Sequence, residues 1–177
     1  MIAHLAQQTV LWCCAGLLLW AAISDLQRFV IPNRISLALV ALFPIYLATG
    51  YLSGAPVDWI GGLMAGALVF TVGFGLFTLG VMGGGDVKLL AAVALYAGLN
   101  GLLAFTVVTA LAGGLLSATL LTAKMISLNR IPANLRAVML PAGGRFPVLR
   151  AALRTNTPYG AAIAFGGLFI IYQLVRA

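Results

Sequence analysis

The chain has 177 residues, 63% of them hydrophobic and only 7% charged, with a mean hydropathy of +1.11. That is more apolar surface than a water-soluble core of this size hides, which excludes a soluble globular domain and points to a bilayer. The formal net charge of +7 suggests nucleic acid at first sight, but six of the ten basic residues fall between Lys124 and Arg154, flanked by apolar segments; a cytoplasmic loop against anionic membrane lipid accounts for them, with no nucleic-acid partner.

Before the first apolar run, Met1 to Val10 offers only His4 and two glutamines. It lacks the basic start of a cleaved signal peptide, so the first span is expected to stay in the protein. Cys13 and Cys14 are adjacent and form no Cys-x-x-Cys pattern, which reads as packing rather than a bridge or metal site. Leu11-Trp12-Cys13 lacks the small side chains expected ahead of a lipid-modified cysteine, and no lipoprotein processing is expected.

A helix needs about 20 apolar residues to cross a hydrocarbon core about 30 Å thick. The first span is predicted over about 5–24, ending at Asp25 and followed by the Ile31-Pro32-Asn33-Arg34 turn. The second covers about 35–50. After the Ser53-Gly54-Ala55-Pro56 turn comes a third over 59–81, with Asp58 placed to cap its first turn, stopping at Gly83-Gly84-Gly85. The apolar stretch from Val87 to Ala123 is too long for one span and is divided at Asn100-Gly101 into spans over 87–98 and 101–123. A basic cytoplasmic loop over 124–154 follows, in which Asn134 to Leu140 reads as a short interfacial helix. The last span covers about 158–175, with Thr157 as its N-cap and Pro158 at the first helical position.

The expected fold is therefore all-α: one integral-membrane domain of six transmembrane helices. Lysine and arginine follow the first, third and fifth spans, whereas Tyr51 to Asp58 and Leu99 to Gly101 contain none. Both termini are predicted to lie outside the cytoplasm.

The chain has three acidic residues, Asp25, Asp58 and Asp86. An acid at membrane depth carries a desolvation cost and invites a functional explanation. In the predicted topology Asp58 lies at the outer face and reads as a helix cap, while Asp25 and Asp86 lie together at the cytoplasmic end of the first span and start of the fourth. Two carboxylates at one depth can share a proton, one activating water and the other donating to a carbonyl. The bland reading of each is also helix capping. The glycines Gly83, Gly84 and Gly85 allow close backbone approach and conformations other residues avoid, and fit a path for an extended substrate to Asp86; a flexible turn is the plainer account. A serine mechanism fits poorly, because the single histidine, His4, is predicted on the opposite face.

Ser24-Asp25-Leu26 with Ile31-Pro32-Asn33, and the run Gly83-Gly84-Gly85-Asp86-Val87-Lys88-Leu89-Leu90-Ala91, resemble the type IV prepilin peptidases, including the short forms of Flp/tight-adherence pilus systems. The second run matches the Gly-x-Gly-Asp signature of intramembrane aspartic proteases. Pro158-Tyr159-Gly160 is similar to the family's motif at the start of the last span.

The resemblance implies an aspartic endopeptidase of the bacterial inner membrane, its site facing the cytoplasm, with Asp25 and Asp86 catalytic and no metal or organic cofactor. It implies a prepilin substrate with a short basic leader ahead of a hydrophobic helix. Longer members carry a Cys-x-x-Cys domain between the first two spans and methylate the new N-terminus; Gln27 to Arg34 leaves no room for it, so peptidase activity without methyltransferase activity is expected. Pro32 and Asn33 are expected to shape the turn that orients Asp25. Pro158, Tyr159 and Gly160 are expected to start a helix facing the cleft. Lys88 is expected to anchor its span at the interface, with tuning of Asp86 as the alternative. Two other classes compete: a small channel or proton-coupled transporter using intramembrane carboxylates, and a non-enzymatic secretion-system subunit.

Overall fold

A computed structural model describes residues 2–55, 57–129 and 159–176. These residues form helices α1 (Ile2–Arg28), α2 (Asn33–Leu52), α3 (Trp59–Thr78), α4 (Gly84–Asn129) and α5 (Tyr159–Arg176). All five are long and apolar enough to cross a membrane, and the described residues contain no strand. The expected all-α architecture holds at this level.

Helix α4 is the centre of the bundle, packing against α2, α3 and α5, while α1 packs against α2 and α5. Lipid tails are as apolar as leucine, so burial does not drive such packing; close approach through small residues does. Helix α3 turns a glycine face to α4. A Cβ on Gly62 would lie 2.7 Å from the Leu95 carbonyl oxygen, one on Gly66 2.7 Å from Leu95 Cδ2, and one on Gly73 2.9 Å from Val87 Cγ1. Leu11, Cys14, Leu18 and Ala21 form the buried stripe of α1, against Ile35 and Leu39 of α2 and Ile163 and Ile170 of α5. Cys14 packs as expected; Cys13 does not, and is exposed on the outer surface. Trp12, Trp20, Leu37 and Phe74 also face outward, as side chains against lipid would.

Several boundaries differ from the expected ones. Helix α1 runs a turn further, to Arg28, which places Asp25 inside its last turn rather than beyond it. The helix stops where Phe29 adopts a positive φ of 52°, with its N–H donating to the Asp25 carbonyl at 2.9 Å. The Ser24 hydroxyl then holds the Val30 carbonyl at 2.9 Å. This closes the turn through local hydrogen bonds that hydropathy does not register. Helix α3 ends at Thr78, earlier than Val81, with Gly80 at φ 71° in the turn that follows.

The break expected at Asn100-Gly101 lies instead at Gly98, with φ 60° and ψ 179°, a conformation essentially restricted to glycine. Asn100 and Gly101 are both helical. On either side of the break, Leu90 and the residues Phe105, Thr109 and Gly113 line one cavity of about 400 Å³, so the two halves of α4 face each other across it. The basic segment begins as helix through Asn129 rather than as loop from Lys124. The remainder of that loop, the Asn134 to Leu140 helix, Thr157 and Pro158 lie outside the described residues.

Asp58 caps α3 as expected, its Oδ1 accepting from the Gly61 N–H at 2.9 Å. Asp58→Ala is expected to lower stability by about 1 kcal/mol, read by thermal denaturation in detergent. An unchanged melting temperature would remove the capping role.

Candidate active site

Asp25 projects from the last turn of α1 into the interior and is only 5% exposed. Its Oδ2 accepts from the Ala161 N–H at 3.0 Å. The partner is in the first turn of α5, so a carboxylate from one helix satisfies a backbone donor that the start of another helix leaves free. The approach is close because residue 160 is glycine: a Cβ there would lie 2.9 Å from the Asp25 carboxyl and 2.5 Å from Ile31 Cδ1.

Asp86 is half-buried in the first turn of α4. Its carboxyl bends back over the helix start, where Oδ2 lies 2.9 Å from the position of a Gly83 Cβ. Gly84 and Gly85 are themselves helical, and none of the three glycines has a positive φ. The expectation of unusual backbone conformations in this run is therefore corrected; what the glycines supply is space. A Cβ on Gly85 would be 3.4 Å from Ile31 Cβ, and one on Gly84 3.3 Å from Phe77 Cε2.

Ile31 joins the two halves of the site. It is 8% exposed, and it lies between Gly85 at the start of α4 and Gly160 at the start of α5. No hydrogen bond joins the Asp25 and Asp86 carboxyls; what links their surroundings is Ile31, packed against the glycine that precedes Asp86 and the glycine beside the Asp25 carboxyl. Two acids meeting at the N-termini of two helices, with a bulky aliphatic wedge between those helices, form a site able to activate water and protonate a leaving group.

The other expected residues take different places. Pro32 is the N-cap of α2, with φ −61° and ψ 128° and no side-chain cap, so it shapes the turn that carries Ile31. Asn33 opens α2 and accepts a hydrogen bond from Lys88 Nζ at 3.1 Å. Lys88 thus reaches across to α2 and ties its start to α4 instead of turning to Asp86. Tyr159 is exposed and lines the 400 Å³ cavity with Leu90, Ala162 and Ile163. Two contributors were not anticipated, Ile31 as a wedge and the Ala161 N–H as a donor. The signals for them in the sequence are the place of Ile31 beside Pro32-Asn33 in a short apolar connection and a small residue following Gly160.

Comparison with known proteins shows the family of the chain. The type IV leader peptidase family matches residues 12–118, a segment that holds Asp25, Ile31 and Asp86 and ends before α5. This chain belongs to that family, and with its apolar helices it is a multi-pass membrane protein. It is also 32% identical over 121 residues to the prepilin leader peptidase/N-methyltransferase of Bacillus subtilis (strain 168), an alignment covering 66% of this chain and 47% of that protein. The chain therefore spans about half the length of that curated relative. No solved structure matches.

Proposed function

We propose that the chain is an aspartic endopeptidase that removes the basic leader from a type IV prepilin, of the Flp type, with Asp25 and Asp86 as its catalytic pair. The observation that carries this reading is the convergence of the two acids at the starts of α4 and α5, wedged by Ile31, within a family of leader peptidases. One carboxylate takes a proton from water as it attacks the scissile carbonyl, and the other, as the acid, polarises that carbonyl and then protonates the departing amine. Gly83, Gly84, Gly85 and Gly160 keep the cleft narrow. Pro32, Asn33 and Lys88 fix the turn behind it.

Membranes containing the chain are expected to release the leader from a prepilin and, with labelled S-adenosylmethionine present, to leave the new N-terminus unmethylated. Methyl transfer by the purified chain would overturn the second half of the proposal. Absence of leader removal would overturn the first.

The proposed topology has six spans, both termini outside and the site facing the cytoplasm of the inner membrane. Its support is length and charge: a continuous 46-residue helix would be about 69 Å long at 1.5 Å per residue, over twice the hydrocarbon thickness of about 30 Å. Gly98 divides it into two spans. Reporter enzymes fused after Gly54 and after Arg136 are expected to signal on opposite sides of the membrane; equal signals would sink the six-span reading.

A further inference from the structure

A cavity of about 690 Å³ lies between α2, α3 and α4, and neither Asp25 nor Asp86 lines it. Its walls are apolar: Leu37 and Val40 from α2, Leu63 and Phe70 from α3, Ala91 and Leu95 from α4. Leu37, Val40, Leu63 and Phe70 are exposed, so the cavity is a groove open on the outer surface of the bundle rather than a sealed void. From Lys88 to Leu95 it follows α4 for about 10 Å at 1.5 Å per residue, about two-thirds of the hydrocarbon depth of one leaflet.

One end of the groove is basic. Arg34, the second residue of α2, and Lys88, in the second turn of α4, both line it and are both exposed. Lys88 Nζ donates to Asn33 Oδ1 at 3.1 Å, but an amide oxygen carries no charge and an ammonium has further donors to offer. The start of α2 adds to the positive field, since no side chain caps it and its first N–H groups form the positive end of the helix dipole. The two acids at this end of the bundle are turned elsewhere. Asp86 bends back over Gly83, two residues from Lys88 and so on a different face of α4. Asp25 accepts from the Ala161 N–H of α5.

We infer that this groove binds an anionic phospholipid, with one acyl chain between α2, α3 and α4 and the headgroup phosphate between Arg34 and Lys88. The inference is independent of the peptidase reading. A phosphate suits a guanidinium beside an ammonium, and basic pockets between spanning helices take such headgroups. A soluble anion would use the basic end and leave the apolar walls unfilled. A zwitterionic lipid would fill the walls but bring a positive charge to the two cations. The bound lipid would bridge the start of α2, just after Ile31, to the start of α4, just after Asp86.

The test uses the full chain in detergent, stripped of co-purified lipid, with phosphatidylglycerol or phosphatidylcholine carrying the same photoreactive acyl chain; labelled residues are located by mass spectrometry. With each cation near the headgroup contributing about fivefold, the phosphatidylglycerol probe is expected to label the groove, at Leu37, Ala67 and Ala91, about 25-fold more strongly than the phosphatidylcholine probe. Arg34→Gln keeps a good helix former and is expected to reduce that preference about fivefold. Arg28→Gln removes an exposed cation at the end of α1, outside the groove. It is expected to leave the preference unchanged, which separates a site from general attraction to a basic surface. Equal labelling by the two probes, or a preference in Arg34→Gln equal to that of wild type, would overturn the inference. So would displacement of the probe by glycerol phosphate as complete as by unlabelled phosphatidylglycerol, which makes the groove an anion site alone, or a groove closed to both probes by a second copy of this chain. Leader cleavage is not part of the readout, so loss of the peptidase function leaves this result standing.

Discussion

Asp25→Asn and Asp86→Asn are each expected to reduce leader removal by about 10³-fold, the scale of losing a general acid or base. The substitutions separate catalysis from capping. An asparagine at position 25 keeps an oxygen able to accept from the Ala161 N–H, now made at 3.0 Å, and asparagine caps helices about as well as aspartate. The amide retains the shape and the hydrogen bond but cannot exchange a proton with water. If Asp25 serves only to join α1 to α5, the asparagine variant stays active and stays folded. If it is catalytic, the variant stays folded and goes silent. The double variant is expected to be no slower than the worse single one, because the two acids act as a unit. Cleavage of prepilin in membranes, with melting temperature in detergent as the control for folding, decides the matter. Wild-type rates from either single variant would remove the pair from the mechanism.

Gly160→Ala is expected to cost about 10²-fold in leader removal, since displacing a catalytic group by about 1 Å is enough for that. The added Cβ would lie 2.5 Å from Ile31 Cδ1 and 2.9 Å from the Asp25 carboxyl. Real atoms do not approach this closely, so the carboxyl has to leave the Ala161 N–H or the wedge has to withdraw from between the helices. Either movement changes where Asp25 stands relative to Asp86. The same substitution at Gly85 meets Ile31 at an ordinary 3.4 Å and is expected to do much less. At Gly16, where nothing lies within 4 Å, it is expected to do nothing. The order Gly160, Gly85, Gly16 in a single cleavage assay tests whether helix approach sets the site. Equal activity across the three would show that it does not.

Asp25 and Asp86 stood out in the sequence because acids are rare in so apolar a chain, and the glycine run marked the second of them. The use of those glycines was only half legible. Close approach and unusual backbone angles leave the same residue in the sequence, and only the conformation separates them: Gly83, Gly84 and Gly85 have no positive φ, whereas Gly98, inside a run that looks unremarkable, does. Lys88 was equally ambiguous. Two residues from Asp86 along the chain, it turns instead to Asn33, because a helix sends side chains two apart to different faces.

The sequence by itself determined the solvent of this protein, the rough ends of its spans and which acids are unusual. Hydropathy, charge and turn residues are local properties that add up along the chain, and lipid acts on them segment by segment. The tertiary structure decided what Asp25 touches. Its donor is 136 residues away, brought there by the packing of α5 against α1 and by an isoleucine wedged between two helix starts. Such a contact depends on the relative placement of helices, which lipid does not dictate by burial and which small residues and close fit have to settle.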